Sequence, residues 1–255
     1  MRPLRQILRS GYNRLSEVLP AWISGPLDWH LFPHERDPYG GPFNGQQGRA
    51  EVFQQILKCF DFSGVVETGT FRGSTTVFLR RVSWLPVYTV EAWPRSFYYA
   101  RQRFKSESGI HQELGDSRSF LEKLGHTPEL SGSVFFYLDA HGGEDLPLSE
   151  ELQIVARLWA DPVIMIDDFE VPDDPAYAYY DPGAGKRLSA SYLPRELMRK
   201  FCLFWPSMRG EEETGARCGC VVICRLGASE EKLANLSVLR KNSTALLSPA
   251  MTPPR

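Results

Sequence analysis

The strongest constraint on the fold is an alternation of short apolar segments with amphipathic segments through residues 47–166. Near-continuous apolar runs are typical of strands buried on both faces, and amphipathic helices between them indicate parallel strands. The chain is therefore predicted to be an α/β protein with a doubly wound, mostly parallel sheet and helices on both faces. Two later apolar segments predict an antiparallel hairpin at one sheet edge. The predicted strands are 64–67, 87–90, 110–114, 134–138 and 163–166, the helices are 47–60, 74–82, 94–104, 118–124 and 148–159, and the hairpin segments are 201–205 and 220–224.

Acidic residues follow each of the five predicted parallel strands. In open α/β sheets, ligands bind outside the carboxyl ends of the strands. Acids at five consecutive strand ends therefore predict a functional site at that edge of the sheet. The acids are Glu67, Glu91, Asp116, Asp139 and the pair Asp167-Asp168.

The charge balance argues against a protein that binds the phosphate backbone of nucleic acids. The chain has 29 Lys and Arg against 31 Asp and Glu, a net charge of −2, whereas such proteins show a basic surface. No apolar run approaches the roughly 18 residues that a transmembrane helix needs. Five cysteines are an odd number for a disulfide framework, so a reducing, cytoplasmic setting is predicted.

Three regions are predicted along the chain. Residues 1–45 contain a basic helix, which packs on the domain or contacts a membrane surface or partner, and an aromatic, proline-rich segment of irregular backbone. Residues 46–226 form the α/β domain, and residues 227–255 form a short helix and a loose tail. Within the domain, the long segment 170–194 is predicted to be a functional lid, and segment 41–49 is predicted to cover the opposite side of the pocket.

A glycine-containing turn follows the first predicted strand, with the pattern E-x-G-x-x-x-G over Glu67–Gly73. Gly69 allows a tight turn, and Gly73 lets the next helix begin close to a ligand. A dinucleotide fingerprint needs a second glycine where Phe71 stands, so a pyrophosphate is disfavoured. Glu91, at the end of the second strand, is placed to accept hydrogen bonds from a ribose. These features predict an adenosine ligand that carries a small charged tail.

These motifs resemble those of the class I S-adenosylmethionine-dependent methyltransferases. VVETGTFRGSTT is similar to their first motif, VYTVEA to their second and GDSRSF to their adenine-side loop, and the resemblance spans roughly residues 60–225. It implies a Rossmann-like, seven-stranded sheet that ends in an antiparallel hairpin strand, and related enzymes often form homo-oligomers.

The resemblance also implies which residues contact S-adenosylmethionine. Gly69 and Gly73 would pass the methionine part, and Ser74 or Thr75 would cap its carboxylate. Glu91 would hold the ribose, while Ala92 and the Asp116-Ser117 pair would line the adenine. The full set expected at the cofactor is Glu67, Thr68, Gly69, Thr70, Gly73, Ser74, Thr75, Glu91, Ala92, Asp116, Ser117 and Asp139.

Three acids at two neighbouring strand ends predict a cation site. Carboxylates as close as Asp139, Asp167 and Asp168 would repel one another strongly, and a divalent cation would remove that cost. Oxygen ligands favour Mg²⁺, Mn²⁺ or Ca²⁺. The layout resembles the metal-dependent O-methyltransferases of the catechol and macrocin types, which implies Mg²⁺ at these three residues. The alternative is that the acids cap helices and bind ribose without a metal.

His141 follows Asp139 on the same loop and is the predicted general base, together with Asp139 in the catalytic set. The alternative is a histidine that only orients another group. The combined prediction is a metal-assisted methyltransferase acting on a hydroxyl of a sugar or other small polar metabolite. A hydroxylase-like or nucleotide-sugar enzyme, or a non-catalytic cofactor-binding module, would fit the same fold.

Overall fold

The predicted apolar segments form one mixed sheet. A computed structural model of the chain describes residue 12 and residues 16–142, 145–183 and 185–241. The strands found there are β1 (Phe62–Thr68), β2 (Val87–Glu91), β3 (Ile110–Leu114), β4 (Ser133–Leu138), β5 (Pro162–Ile166), β6 (Phe201–Pro206), β7 (Val221–Arg225) and β8 (Leu239–Arg240).

The strand order in the described part of the chain is β3-β2-β1-β4-β5-β7-β6-β8. Strands β1 to β5 are mutually parallel, and β7 is antiparallel to both of its neighbours, β5 and β6. The two-residue β8 pairs with β6 and adds an eighth strand to the seven predicted. The predicted mostly parallel sheet with an antiparallel C-terminal hairpin is confirmed, and this is the architecture of the class I methyltransferases that the motifs resemble.

Helices cover both faces of the sheet, as predicted. Successive residues of a strand point to opposite faces, so Val65 and Phe135 belong to one apolar core while Val66 and Phe136 belong to the other. The helices are α1 (Ala21–Leu31), α2 (Gln47–Leu57), α3 (Ser74–Ser83), α4 (Pro94–Phe104), α5 (Ser117–Leu124), α6 (Leu148–Leu158), α7 (Arg195–Met198) and α8 (Ala228–Ala234). Helices α5 and α6 pack on one face, and α2, α3 and α8 pack on the other.

The prediction of irregular backbone throughout residues 20–45 is wrong, because Ala21–Leu31 forms helix α1 despite Pro26 inside it. Packing against α4 explains the difference. A Cβ atom on Gly25 would lie 2.6 Å from the carbonyl oxygen of Arg95, so glycine allows the two helices to approach closely. The Trp29 ring lies edge-on to the Tyr99 ring, with centroids 5.5 Å apart. These tertiary contacts outweigh the unfavourable helix propensity of proline and glycine.

Two predicted segments lie mostly or wholly outside the described residues, namely the basic helix at residues 1–20 and the tail from residue 242. None of the described helices combines the length and apolarity needed to span a bilayer. All five cysteines are free thiols, and Cys202, Cys220 and Cys224 are buried.

Candidate functional site

The loops that follow β1 and β4 contact each other at the carboxyl edge of the sheet. The amide of Asp139 donates a hydrogen bond to the carbonyl oxygen of Thr68, at 2.9 Å. Gly69 has a φ of +87°, and a Cβ atom there would lie 2.3 Å from the carbonyl oxygen of Asp139. Only glycine fits this turn, and its close fit brings the predicted cofactor loop against the predicted catalytic loop.

Gly73 gives helix α3 an N-terminus that is open to an anion. It has a φ of +72°, stands at the N-cap position and offers no side chain to accept from the first amides of the helix. Ser74 and Thr75 form the first turn. The Thr75 hydroxyl oxygen accepts from the Phe43 amide at 3.1 Å, and its own proton remains available for donation. The predicted carboxylate-binding position therefore has both amide and hydroxyl donors.

Glu67 lies inside the sheet, beneath the glycine turn. Its Oε2 atom accepts hydrogen bonds from the hydroxyls of Thr76, at 2.5 Å, and Thr89, at 2.7 Å. Thr70 extends this hydrogen-bonded cluster, because its hydroxyl oxygen lies 2.6 Å from that of Thr89. Burial raises the pKa of Glu67 to about 8, although the two hydroxyls partly oppose this. Glu67 therefore mostly holds its proton at neutral pH, and it supports the turn through these hydrogen bonds.

Main-chain amides hold Glu91 at the end of β2. Its two carboxylate oxygens accept from the amides of Phe71, at 2.6 Å, and Trp93, at 2.8 Å. Burial raises the pKa of Glu91, and these amides oppose the rise. Each oxygen keeps a lone pair for a ribose hydroxyl. The rings of Phe71 and Trp93 are exposed, although no role was predicted for them. The sequence indicates a role for them by position, because Phe71 lies close to Gly69 and Trp93 lies close to Glu91.

The predicted adenine-side residues differ in their exposure and in their hydrogen bonding. Ser117 is buried at the start of α5, and Ala92 is exposed. Asp116 caps α5 by accepting from the Arg118 amide at 2.9 Å, and its other oxygen binds the Arg118 guanidinium at 2.6 Å. The hydrogen bond from the Arg118 side chain lowers the pKa of Asp116. Much of the Asp116 carboxylate is therefore already committed to local contacts.

Glu151 is a buried acid that no motif predicted. It lies on α6 near Thr68 and Ser117, and burial raises its pKa to about 7 although both hydroxyls lower it. The two hydroxyls lie near the Glu151 carboxyl, but its Oε1 atom and the Thr68 oxygen make no hydrogen bond of ordinary length and angle among the described residues. Buried polar atoms without partners are rare in folded proteins, so these two groups mark a place where a polar ligand could bind.

His141 lies between two of the predicted metal ligands. Its Nε2 atom is 3.0 Å from Oδ2 of Asp168 and 3.6 Å from Oδ1 of Asp139. Burial alone would lower the pKa of His141, but the hydrogen bond that it donates to Asp168 and the charges of both acids raise it overall. The sequence-based association of these three residues is matched by these distances, and His141 is held in one orientation.

Asp139 and Asp168 differ in their protonation. Burial raises the pKa of Asp139 to about 7, against the opposing effect of His141. The Asp168 side chain is 26% exposed, and although its partial burial raises its pKa, the hydrogen bond with His141 lowers that pKa overall. The side chain of Asp139 is 30% exposed, so it faces the open part of the site. Asp168 is consequently the ionised partner of His141.

Asp167 turns away from the other two acids, so the arrangement does not fit the predicted three-acid cation site. The Arg49 guanidinium donates to Oδ1 of Asp167, and the Tyr137 hydroxyl donates to Oδ2 at 2.5 Å. Both Arg49 and Asp167 are buried. No cluster of three or more His, Cys, Asp or Glu side chains suited to a metal ion occurs in the described ranges. The physical reason is that an arginine already neutralises the most buried acid.

The predicted lid begins at this cluster. The amide of Tyr180 donates to the Asp168 carbonyl oxygen at 2.8 Å, and the Tyr180 ring centroid lies 5.0 Å from that of His141. Tyr177 is buried instead and donates to the Met208 carbonyl oxygen. Arg187 pairs with Glu170. Of the tyrosines in the segment 170–194, Tyr180 is therefore the one whose ring contacts the His141 ring.

Comparisons with known proteins found similarity to solved structures at low identity. No protein-family model and no curated protein matches the chain. The O-methyltransferase from Bacillus cereus in complex with SAH is 16% identical over 70% of this chain and 79% of its own, with a TM-score of 0.48. A structure described by the conversion of a disulfide bond into a thioacetal group during echinomycin biosynthesis is 17% identical over 78% of this chain and 91% of its own, with a TM-score of 0.49. EvdMO1 is 16% identical over 69% of this chain, with a TM-score of 0.44, and the chain spans 40% of EvdMO1. The functional argument consequently rests on the site.

Proposed function

We propose that this chain is an S-adenosylmethionine-dependent methyltransferase that modifies a hydroxyl oxygen of a sugar or another small polar metabolite. The observation that carries the proposal is the contact between the glycine turn and the loop of Asp139 and His141. A Cβ atom on Gly69 would overlap the Asp139 main chain, so a cofactor held by the turn would lie beside the histidine. Proximity of this kind is the main requirement for transfer between two bound molecules.

The residues around the turn suit the chemical groups of this cofactor. The uncapped first turn of α3, with Ser74 and Thr75, would bind the carboxylate. Glu91 would accept hydrogen bonds from the ribose hydroxyls, and the exposed rings of Phe71 and Trp93 offer apolar surface near it. When bound, the cofactor supplies an electrophilic methyl group on a sulfonium.

His141 would act as the general base. Its Nε2 atom faces Asp168, so the neutral imidazole donates Nε2–H to the carboxylate and leaves Nδ1 free to accept a proton. Nδ1 would take the proton of the acceptor hydroxyl as the oxygen is methylated. Asp168 would stabilise the imidazolium that forms, in the manner of an acid that orients a catalytic histidine. The raised pKa of His141 makes it a stronger base, and the free base is present at pH values above that pKa.

A small polar acceptor is supported by the surroundings of His141. The partly exposed Asp139 offers a hydrogen-bond acceptor, and the aromatic ring of Tyr180 lies beside His141. Sugars combine these needs, because their hydroxyls donate and their C–H faces stack on aromatic rings. The net charge of −2 gives little support for a nucleic-acid substrate. The predicted magnesium is not part of this proposal, since Arg49 and Tyr137 occupy Asp167.

The first test is calorimetric titration of the protein with S-adenosylhomocysteine, followed by mass spectrometry of acceptor mixtures incubated with S-adenosylmethionine. We expect saturable binding and a product heavier by one methylene unit. The Glu91→Gln variant should bind about tenfold more weakly, because it loses a charge-assisted acceptor. Glu231→Gln, at an exposed position of α8, is the matched control and should bind normally. Absence of binding by the unmodified protein would refute the proposal.

A further inference from the structure

Arg49 occupies an unusual place for an arginine. It is the third residue of α2, and its side chain is only 1% exposed. The guanidinium donates from Nη1 to Asp167, and from Nη2 to the carbonyl oxygens of Cys218 and Gly219, the latter at 3.0 Å. It therefore joins α2, the end of β5 and the segment that enters β7.

Burial of an arginine is costly unless a carboxylate neutralises it and hydrogen bonds satisfy its donors. The fully buried Asp167 supplies the carboxylate and the two carbonyls accept from Nη2, while the Nε–H has no partner among the described residues. Breaking such a pair by removing one partner leaves an isolated charge in the interior, which is strongly destabilising. The neutral Tyr137 hydroxyl donates to the second oxygen of Asp167, so both oxygens of this fully buried carboxylate accept hydrogen bonds from the protein.

The same carboxylate fixes its neighbour. The amide of Asp168 donates to Oδ1 of Asp167 at 2.6 Å, the oxygen that also binds Arg49. Asp168 has a φ of +50°, in the left-handed region that L-residues rarely adopt. Asp168 Oδ2 then lies 3.0 Å from His141 Nε2. A continuous set of contacts therefore runs from Arg49 through Asp167 to the strained backbone that presents Asp168 to His141.

We infer that Arg49 is a built-in cation that supplies the counter-charge for this acid cluster in place of a divalent metal, and that it positions Asp168 against His141. The positioning role rests on the proposed function, whereas the cation role does not. The structure thus assigns to one arginine the two tasks that a metal would perform, neutralising the strand-end acids and fixing their geometry. It follows that the protein should work without a divalent cation.

Manganese titration followed by electron paramagnetic resonance tests the cation role without reference to the cofactor. We expect no saturable Mn²⁺ binding by the unmodified protein up to about 1 mM. An assembled carboxylate site would bind the ion at lower concentrations. Stoichiometric Mn²⁺ binding at micromolar concentrations that Asp139→Asn or Asp168→Asn abolishes would overturn the inference. The Mn²⁺ titration tests the cation role even if S-adenosylhomocysteine fails to bind and the proposed function is wrong.

Methyl transfer tests the positioning role. We expect EDTA to leave the rate unchanged, and Arg49→Ala to lower kcat about 100-fold or more with little change in the affinity for S-adenosylhomocysteine. Guanidinium at concentrations far below those that denature the protein should restore part of the kcat of Arg49→Ala. Arg225→Ala is the matched control, because Arg225 also binds two main-chain carbonyls, of Ala156 and Trp159, away from His141. It should neither lose kcat nor respond to guanidinium.

Arg49→Lys provides a second variant in case the alanine variant does not fold. Lysine keeps the charge but cannot bridge Asp167 and two carbonyls at once, so kcat should be intermediate between those of Arg49→Ala and the unmodified protein. Loss of activity in EDTA with recovery in Mg²⁺, or an Arg49→Lys variant whose kcat is unchanged, would overturn the inference.

Discussion

Replacement of Glu67 by glutamine should change how the stability of the protein depends on pH. Glu67 is buried beneath the glycine turn and accepts hydrogen bonds from two threonine hydroxyls, and burial raises its pKa to about 8. Glutamine has nearly the same shape and keeps a carbonyl oxygen for those hydroxyls. The main difference is that it never ionises, so the variant isolates the effect of the charge.

The size of the effect follows from the gap between the ordinary pKa of 4.5 and the folded-state value of about 8. Below pH 4.5 both the folded and unfolded chains hold the proton, and the stabilising contribution of the raised pKa is fully present. As pH rises, only the folded state keeps it, and the free energy of unfolding decreases by about 1.4 kcal/mol per pH unit. Above the folded pKa the loss is complete, at roughly 5 kcal/mol.

Urea unfolding of the unmodified protein and Glu67→Gln between pH 5 and pH 9 measures this contribution. Because other titrating groups act in both proteins, they cancel in the difference. The variant should gain stability relative to the unmodified protein as pH rises, by up to about 5 kcal/mol. Glu231→Gln, on the surface of α8, should show no such trend. A Glu67→Gln difference that stays constant to within about 1 kcal/mol across this range would refute the reasoning.

Three further outcomes follow from the geometry. His141→Gln should lower kcat by at least about 100-fold while S-adenosylhomocysteine still binds in calorimetry, and loss of binding would instead indicate a structural role. Asp168→Asn removes a negative charge that helps to raise the pKa of His141, so the pKa on the acid side of the pH–rate profile should fall; an unmoved profile would contradict the assignment. Gly69→Ala should lower the free energy of unfolding by about 2–5 kcal/mol in urea, from the positive φ and the overlap with Asp139, and a neutral result would mean that the turn can open.

The fold and the location of the site could be predicted from the sequence because both depend on local patterns. Apolar runs of strand length alternate with amphipathic helices, and this pattern leaves few arrangements other than a doubly wound sheet. In a parallel sheet the carboxyl ends of the strands meet at one edge, so Glu91, Asp139 and Asp168 could be assigned to a common site before their distances were known. The glycine turn was also predictable, because Gly69 and Gly73 both adopt a positive φ, which favours glycine.

The sequence pattern indicates that two charged residues are buried, but it does not identify the residues that pair with them. Arg49 shares a helix face with Val52, Phe53 and Ile56, and Glu151 shares one with Leu148 and Val155, so each charge lies on an apolar stripe. Such a position indicates burial with a partner.

The pairing itself was decided only by the tertiary structure. Arg49 reaches Asp167 because α2 packs across the ends of β5 and β7. The direction in which each acid points depends on which counter-charge lies nearby, and that neighbour comes from a distant part of the chain. Three acids at adjacent strand ends predicted a divalent cation, whereas packing places the Arg49 guanidinium against Asp167.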